Sequence, residues 1–118
     1  MKIKAFTDLI AWQKAHQFVI KIYQIVSLFP KEELYGLSSQ LKRAAISISS
    51  NIAEGFSRKT NKDKAQFYYI ALGSLTEVQN LIFIARDLKL INKEHFEELA
   101  YFSIEISKLI NSLIKNLK

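Results

Sequence analysis

Apolar residues recur at spacings of three and four along almost the whole of the 118-residue chain, and the pattern breaks at only three places. Such spacing places one face of each segment in a core only if the segment is helical. The chain holds one proline and three glycines, too few to punctuate an all-β fold, which needs a turn every 8 to 12 residues or so. Four helices follow. The first is expected from Asp8, capped by Thr7, to Leu28, with Trp12, Ala15, Val19, Ile22 and Val26 on one face. Pro30 and the residue before it interrupt the pattern. The second is expected over Leu37 to Glu54, with Leu41, Ala45, Ile48, Ile52 and the trailing Phe56 inward and Gly55 as the left-handed residue that ends it. The third, capped by Thr60 or Asn61, reaches about Leu88. Asn92 caps the fourth, whose core face carries Leu99, Phe102, Ile106, Leu109, Leu113 and Leu117.

Short connections between long amphipathic helices favour antiparallel neighbours. The expected fold is therefore all-α, an antiparallel up-down-up-down four-helix bundle formed by residues 1–118 as one domain. No cysteine is present, which excludes disulfides, thiolate metal sites and cysteine nucleophiles. The amino-terminal stretch has no uninterrupted apolar run of signal-peptide length, and no 18-residue apolar stretch occurs, so a cytoplasmic location is expected.

Several polar groups were candidates for chemistry. The pairs Glu32/Glu33 and Glu97/Glu98 are expected to be solvated carboxylates. Ser47, Ser49 and Ser50 lack a nearby histidine or a sharp glycine-flanked turn. His16 and His95 lie on separate segments and suit surface positions better than a metal site. No catalytic residue, metal, cofactor or small-molecule substrate is expected. Gly73, inside a helix, implies close packing, because glycine there costs about 1 kcal/mol against alanine.

Two surfaces suggest partners. On the second helix Gln40, Arg43, Ser47, Ser50 and Glu54 fall in a band about 80° wide, opposite the core stripe. Arg43 and Glu54 stand about 16 Å apart at helical rise, too far to pair with each other. The third helix turns Phe67, Ala71, Ser74, Val78, Leu81, Ile82 and Ala85 inward, yet Tyr69, Leu72, Thr76 and Phe83 form a second stripe. A helix apolar on two sides is usually covered on two sides, so Arg43, Ser47, Ser50, Glu54, Tyr69, Leu72 and Phe83 are the expected subunit contacts. The formal charge is +6. Lys42 and Arg43 on the second helix, and Arg58, Lys59, Lys62 and Lys64 in the loop after it, are the candidates for contact with RNA or DNA phosphates. A structural or protein-interaction bundle with incidental charge is the competing reading.

The segments "FTDLIAWQKA", "LFPKEELYGLSSQLKRAAISISSNIAEGFSR" and "FYYIALGSLTEVQNLI" resemble the proteins encoded by intervening sequences of bacterial 23S rRNA genes. The likeness is most specific from Phe29 to Phe56. It implies an up-down four-helix bundle assembled as a ring-like homopentamer, without enzymatic activity. A more distant likeness, to the accessory variability determinant of diversity-generating retroelements, implies work alongside nucleic acid. The chain departs from the pattern at Glu77-Val78-Gln79, where a glutamate pair is usual, and at Ser49, where proline is common. Serine there predicts an unbent second helix.

Overall fold

The computed structural model describes residues 2–117 and contains four long helices. These are α1 (Ile10–Val26), α2 (Leu37–Ser57), α3 (Asn61–Asp87) and α4 (Lys93–Lys115), with single 3₁₀ turns at Phe6–Asp8 and Lys31–Glu33. No strand occurs among the described residues. The bundle measures 44 × 24 × 19 Å, and the 27 residues of α3 span most of its length at about 1.5 Å per residue.

Cross-helix contacts establish the direction of each neighbour. Lys14 meets Glu105 while Lys21 meets Glu98, so α1 and α4 run opposite ways. Gln79 donates to the Ser103 hydroxyl, and Asn61 donates to the Leu117 carbonyl, so α3 and α4 do the same. The helices sit at the corners of a square in chain order, α1 beside α2, α2 beside α3, α3 beside α4 and α4 beside α1. Phe18, Ile22, Leu41, Ile48, Ile52, Leu75, Ile82, Leu99, Ile106 and Ile110 are almost wholly buried between them. Each such side chain contributes roughly 1.5–3 kcal/mol by leaving water.

Thr60 caps α3 through its hydroxyl, which accepts from the Asp63 N–H at 3.1 Å, and Asn92 caps α4 by accepting from the His95 N–H at 2.7 Å. Thr7 caps nothing. Instead Phe6–Asp8 forms its own turn, α1 begins at Ile10, and it stops at Val26, short of Leu28. The Asp8 carboxylate accepts from the backbone N–H groups of Lys4 at 2.9 Å and Ala5 at 3.0 Å, which lowers its pKa from the usual aspartate value.

The expectation for Gly55 was wrong in kind. No glycine among the described residues has a positive φ, and α2 continues unbroken through Ser49 and Gly55 to Ser57. Gly55 is buried because α3 crosses it closely. A Cβ there would stand 2.6 Å from Tyr68 Cε1 and 3.1 Å from Phe67 Cβ. The left-handed residue is Lys89, with φ 62°, which closes α3. The Leu90 N–H reaches back to the Ala85 carbonyl and the Lys89 N–H to that of Arg86, both at 2.9 Å, the Schellman arrangement. Gly73 also departs from expectation, since nothing lies within 4 Å of the position its Cβ would take.

Gly55→Ala is expected to destabilise the fold by about 1–3 kcal/mol through overpacking against the Tyr68 ring, read as a lower denaturant midpoint at unchanged slope.

Candidate nucleic-acid and assembly surfaces

α2 and α3 share the longest close contact of any pair of helices, a seam of small residues in which Ala44, Ala45 and Gly55 are buried with Ala71. Ser47 belongs to that seam. Its hydroxyl lies 2.7 Å from the Ser74 hydroxyl, and Asn51 Nδ2 donates both to Ser47 Oγ at 3.0 Å and to the Ser47 carbonyl at 2.8 Å. A residue expected on the outer band therefore bonds within the subunit, because its position lies at the border between outer face and α3. Arg43 and Ser50 are exposed as expected. Glu54 has a partner four residues on, at the residue that follows α2, with Arg58 Nη2 at 2.9 Å.

The basic loop divides under the same scrutiny. The Arg58 guanidinium, besides holding Glu54, lies 4.5 Å from the Phe67 ring centroid. Lys64 Nζ donates to the Phe56 carbonyl at 2.6 Å, closing the α2–α3 turn. Lys59 and Lys62 are exposed and have no ion pair or side-chain hydrogen bond among the described residues. Lys42 and Arg43 lie elsewhere, about 22 Å back along α2. Lys42 sits over the Tyr23 ring at 4.9 Å, on the side of α1. Arg43 lines a polar groove with Gln40, Ser47 and Glu77, on the side of α3.

Topology adds residues that the chain order hides. With four alternating helices, the start of α1, the α2–α3 turn and the end of α4 share one end of the bundle. Lys2, Lys4, Arg58, Lys59, Lys62, Lys64 and Lys115 all belong to it, against Asp8, Glu54 and Asp63, which leaves that end at +4. The opposite end carries Lys31, Arg86, Lys89 and Lys93 against Glu32, Glu33, Asp87 and Glu94, for a balance of zero. The cationic end also holds an aromatic stack. The Phe6 ring meets Trp12 edge-on at 5.2 Å, and Trp12 lies nearly parallel to His16 at 4.8 Å. The turn at Phe6–Asp8, which doubles the chain back, brings Phe6 onto Trp12, while Trp12 and His16 stand one turn apart on α1.

The second stripe of α3 is partly open. Tyr69 is 59% exposed and Phe83 48%, and Ile70 and Ile84 flank them, whereas Leu72 packs on its own core. Phe83 uses one face internally, 5.3 Å from the Phe96 ring and 4.9 Å from the Arg86 guanidinium. Bare helix backbone at Gly73 lies in the middle of this surface.

The model of the 23S rRNA-intervening sequence protein family matches residues 7–112. The chain belongs to that family. It is similar to a crystal structure of a protein of unknown function from the S23 ribosomal protein family of Bacteroides thetaiotaomicron. The two are 25% identical and superpose with a TM-score of 0.81, over 91% of this chain and all of that one. A search of curated proteins found no match. No helix of this family member is long and apolar enough, among the described residues, to cross a membrane. Nor does any group of three or more His, Cys, Asp or Glu side chains among the described residues come together as a metal site. Glu54 neighbours Arg58 and no histidine.

Because Ser47 and Ser74 satisfy each other across the seam, the Ser47→Ala/Ser74→Ala cycle is expected to show a coupling energy of about 1 kcal/mol in chemical denaturation.

Proposed function

We propose that the chain acts without catalysis, as a cytoplasmic homo-oligomer, a ring-like pentamer, that holds RNA or DNA through its cationic end as an accessory or scaffold to a larger nucleoprotein. The observation that carries this reading is the convergence of seven cations and three anions on one end of a long, narrow bundle. Repeated around a ring, such ends form a continuous positive surface that binds phosphates and reads no bases. Lys59 and Lys62 are the principal contacts, because their ammonium groups have no partner to give up. Lys2, Lys4 and Lys115 extend the surface, and the Phe6–Trp12–His16 stack offers aromatic faces beside it. Arg58 and Lys64 shape the turn and contribute field more than contact.

Subunit contact falls to Tyr69, Phe83, Arg43 and Ser50, where side chains remain available. Arg43 and Glu77 line one groove and neither forms an ion pair among the described residues, so each can meet an opposite charge from a second copy. Gly73 lets that copy's helix approach to backbone contact. The competing reading, a protein-interaction bundle, draws on the internal use of Arg58 and Lys64, which makes part of the positive charge structural.

In a gel-shift titration against structured RNA, Lys59→Gln with Lys62→Gln is expected to lower the slope of log K against log salt by about 2, while Lys93→Gln at the far end leaves it unchanged. Equal slopes would favour incidental charge. Light scattering at micromolar concentration is expected to report several subunits for the parent and one for Tyr69→Glu at unchanged helicity. A monomeric parent contradicts the assembly.

A further inference from the structure

The cationic end holds a cleft as well as a charge. The segment before the Phe6–Asp8 turn, the first turn of α1 and the last turns of α4 enclose about 590 Å³, a volume within the roughly 300–1,000 Å³ of small-ligand sites. Leu9, Ala11, Leu109 and Leu113 supply apolar lining. Ile3 and Ile10 add apolar surface that is 44% and 60% exposed.

Two of the polar side chains in this lining are held in place by the backbone. Asp8 Oδ2 accepts from the N–H groups of Lys4 and Ala5, which keeps the carboxyl ionised and leaves Oδ1 without a hydrogen bond among the described residues. The Gln13 side-chain amide donates to the Thr7 carbonyl at 2.8 Å, so its own oxygen, Oε1, is left as a second acceptor. Two fixed acceptors beside apolar surface form an arrangement suited to a ligand with N–H donors on a flat apolar body.

Charge narrows the ligand further. A long-chain carboxylate would set its charge against Asp8, the one ionised side chain in the lining among the described residues. An organic cation would have to approach an end that carries +4. A neutral ring with N–H donors, joined to phosphates, satisfies both conditions. Lys2 and Lys4, on either side of Ile3 in the chain, and Lys115 on α4 are exposed at the same end for the phosphates. Of the four bases only guanine presents two adjacent donors, its ring N–H and its exocyclic amine, on the edge that an unpaired strand leaves open.

We propose that this cleft takes one unpaired guanine of a single-stranded nucleic acid, with Asp8 Oδ1 and Gln13 Oε1 accepting from its two donors, the apolar lining covering the ring, and the neighbouring lysines holding the flanking phosphates. This rests on the reading of the cationic end as a nucleic-acid surface, and it adds one base contact to a surface that otherwise reads none.

The test is fluorescence anisotropy of the full chain with labelled hexanucleotides of equal length and charge. Hexauridylate carrying one central guanosine is expected to bind about tenfold tighter than hexauridylate itself, and inosine, which lacks the exocyclic amine, to lose most of that gain. Asp8→Asn keeps an oxygen for the backbone N–H groups but turns a donor towards the cleft. It is expected to abolish the preference for guanosine over inosine while raising the affinity for both, since an anion is removed. Lys59→Gln with Lys62→Gln is expected to weaken both oligonucleotides and keep their ratio. A lower denaturant midpoint in Asp8→Asn with the preference intact confines Asp8 to the turn and overturns the proposal, as does equal measurable affinity of the parent for guanosine and inosine oligonucleotides. Should hexauridylate not bind at all, the reading of the cationic end fails, and amide NMR with guanosine 5′-monophosphate decides the cleft by itself. Saturable shifts at Leu9–Ala11 and Leu113, absent with adenosine 5′-monophosphate, support it. Shifts there with laurate and none with the nucleotide, or shifts that follow protein concentration without ligand, overturn it in favour of an apolar anion or a second copy.

Discussion

The close seam between α2 and α3 governs the rest of the molecule. It depends on the absence of a side chain at Gly55, where Tyr68 comes within a distance that no Cβ tolerates. Burial of that ring raises the tyrosine pKa by disfavouring its charged form. With Gly55 under Tyr68 and Ser47 against Ser74, two points about twelve Å apart along α2 lock the register of both helices. The turn between them is short, and Arg58 and Lys59 within it crowd together with Lys62 and Lys64, which were expected in the loop and which lie on the first turn of α3. Two of those side chains stabilise the turn that collects them, Arg58 through Glu54 and Phe67, Lys64 through the Phe56 carbonyl.

The seam also makes the bundle electrically polar. Charge of +4 at one end and none net at the other, separated by most of a 44 Å axis, orients the molecule in the field of a polyanion before any contact forms. At ionic strengths where the Debye length is about 8 Å this orientation acts only at close range, so bound geometry rests on the individual lysines. Structure and charge therefore assign different work to neighbouring residues that look alike in the sequence.

Helix number, most of each buried face and the caps at Thr60 and Asn92 were legible because they depend on local periodicity and local hydrogen bonding, whereas the buried Phe18, Tyr68, Leu75 and Ile110 lie beside the stripes that spacing marked. Gly55 was misread since a glycine before a charged loop has the same local signature whether it ends a helix or admits a neighbour. Only the position of Tyr68 decides between them. Ser47 sits at the margin of the outer band, where a rotation of a few tens of degrees separates solvent from seam, and periodicity alone does not resolve that. Gly73 looked like a packing residue, and it faces outward instead. Lys2, Lys4 and Lys115 escaped attention because nothing in their own surroundings links them to the loop; the link is topological.

The square arrangement has one side unlike the others. Three sides join helices adjacent in the chain, while α1 and α4 meet across the full length of the sequence, through Phe18 against Phe102 inside and two surface ion pairs. Closing that side brings the largest loop together, whereas the α2–α3 hairpin closes over a turn of three residues. The hairpin is thus the natural cooperative unit, with its amides the slowest to exchange, and the α1–α4 edge is where the bundle breathes.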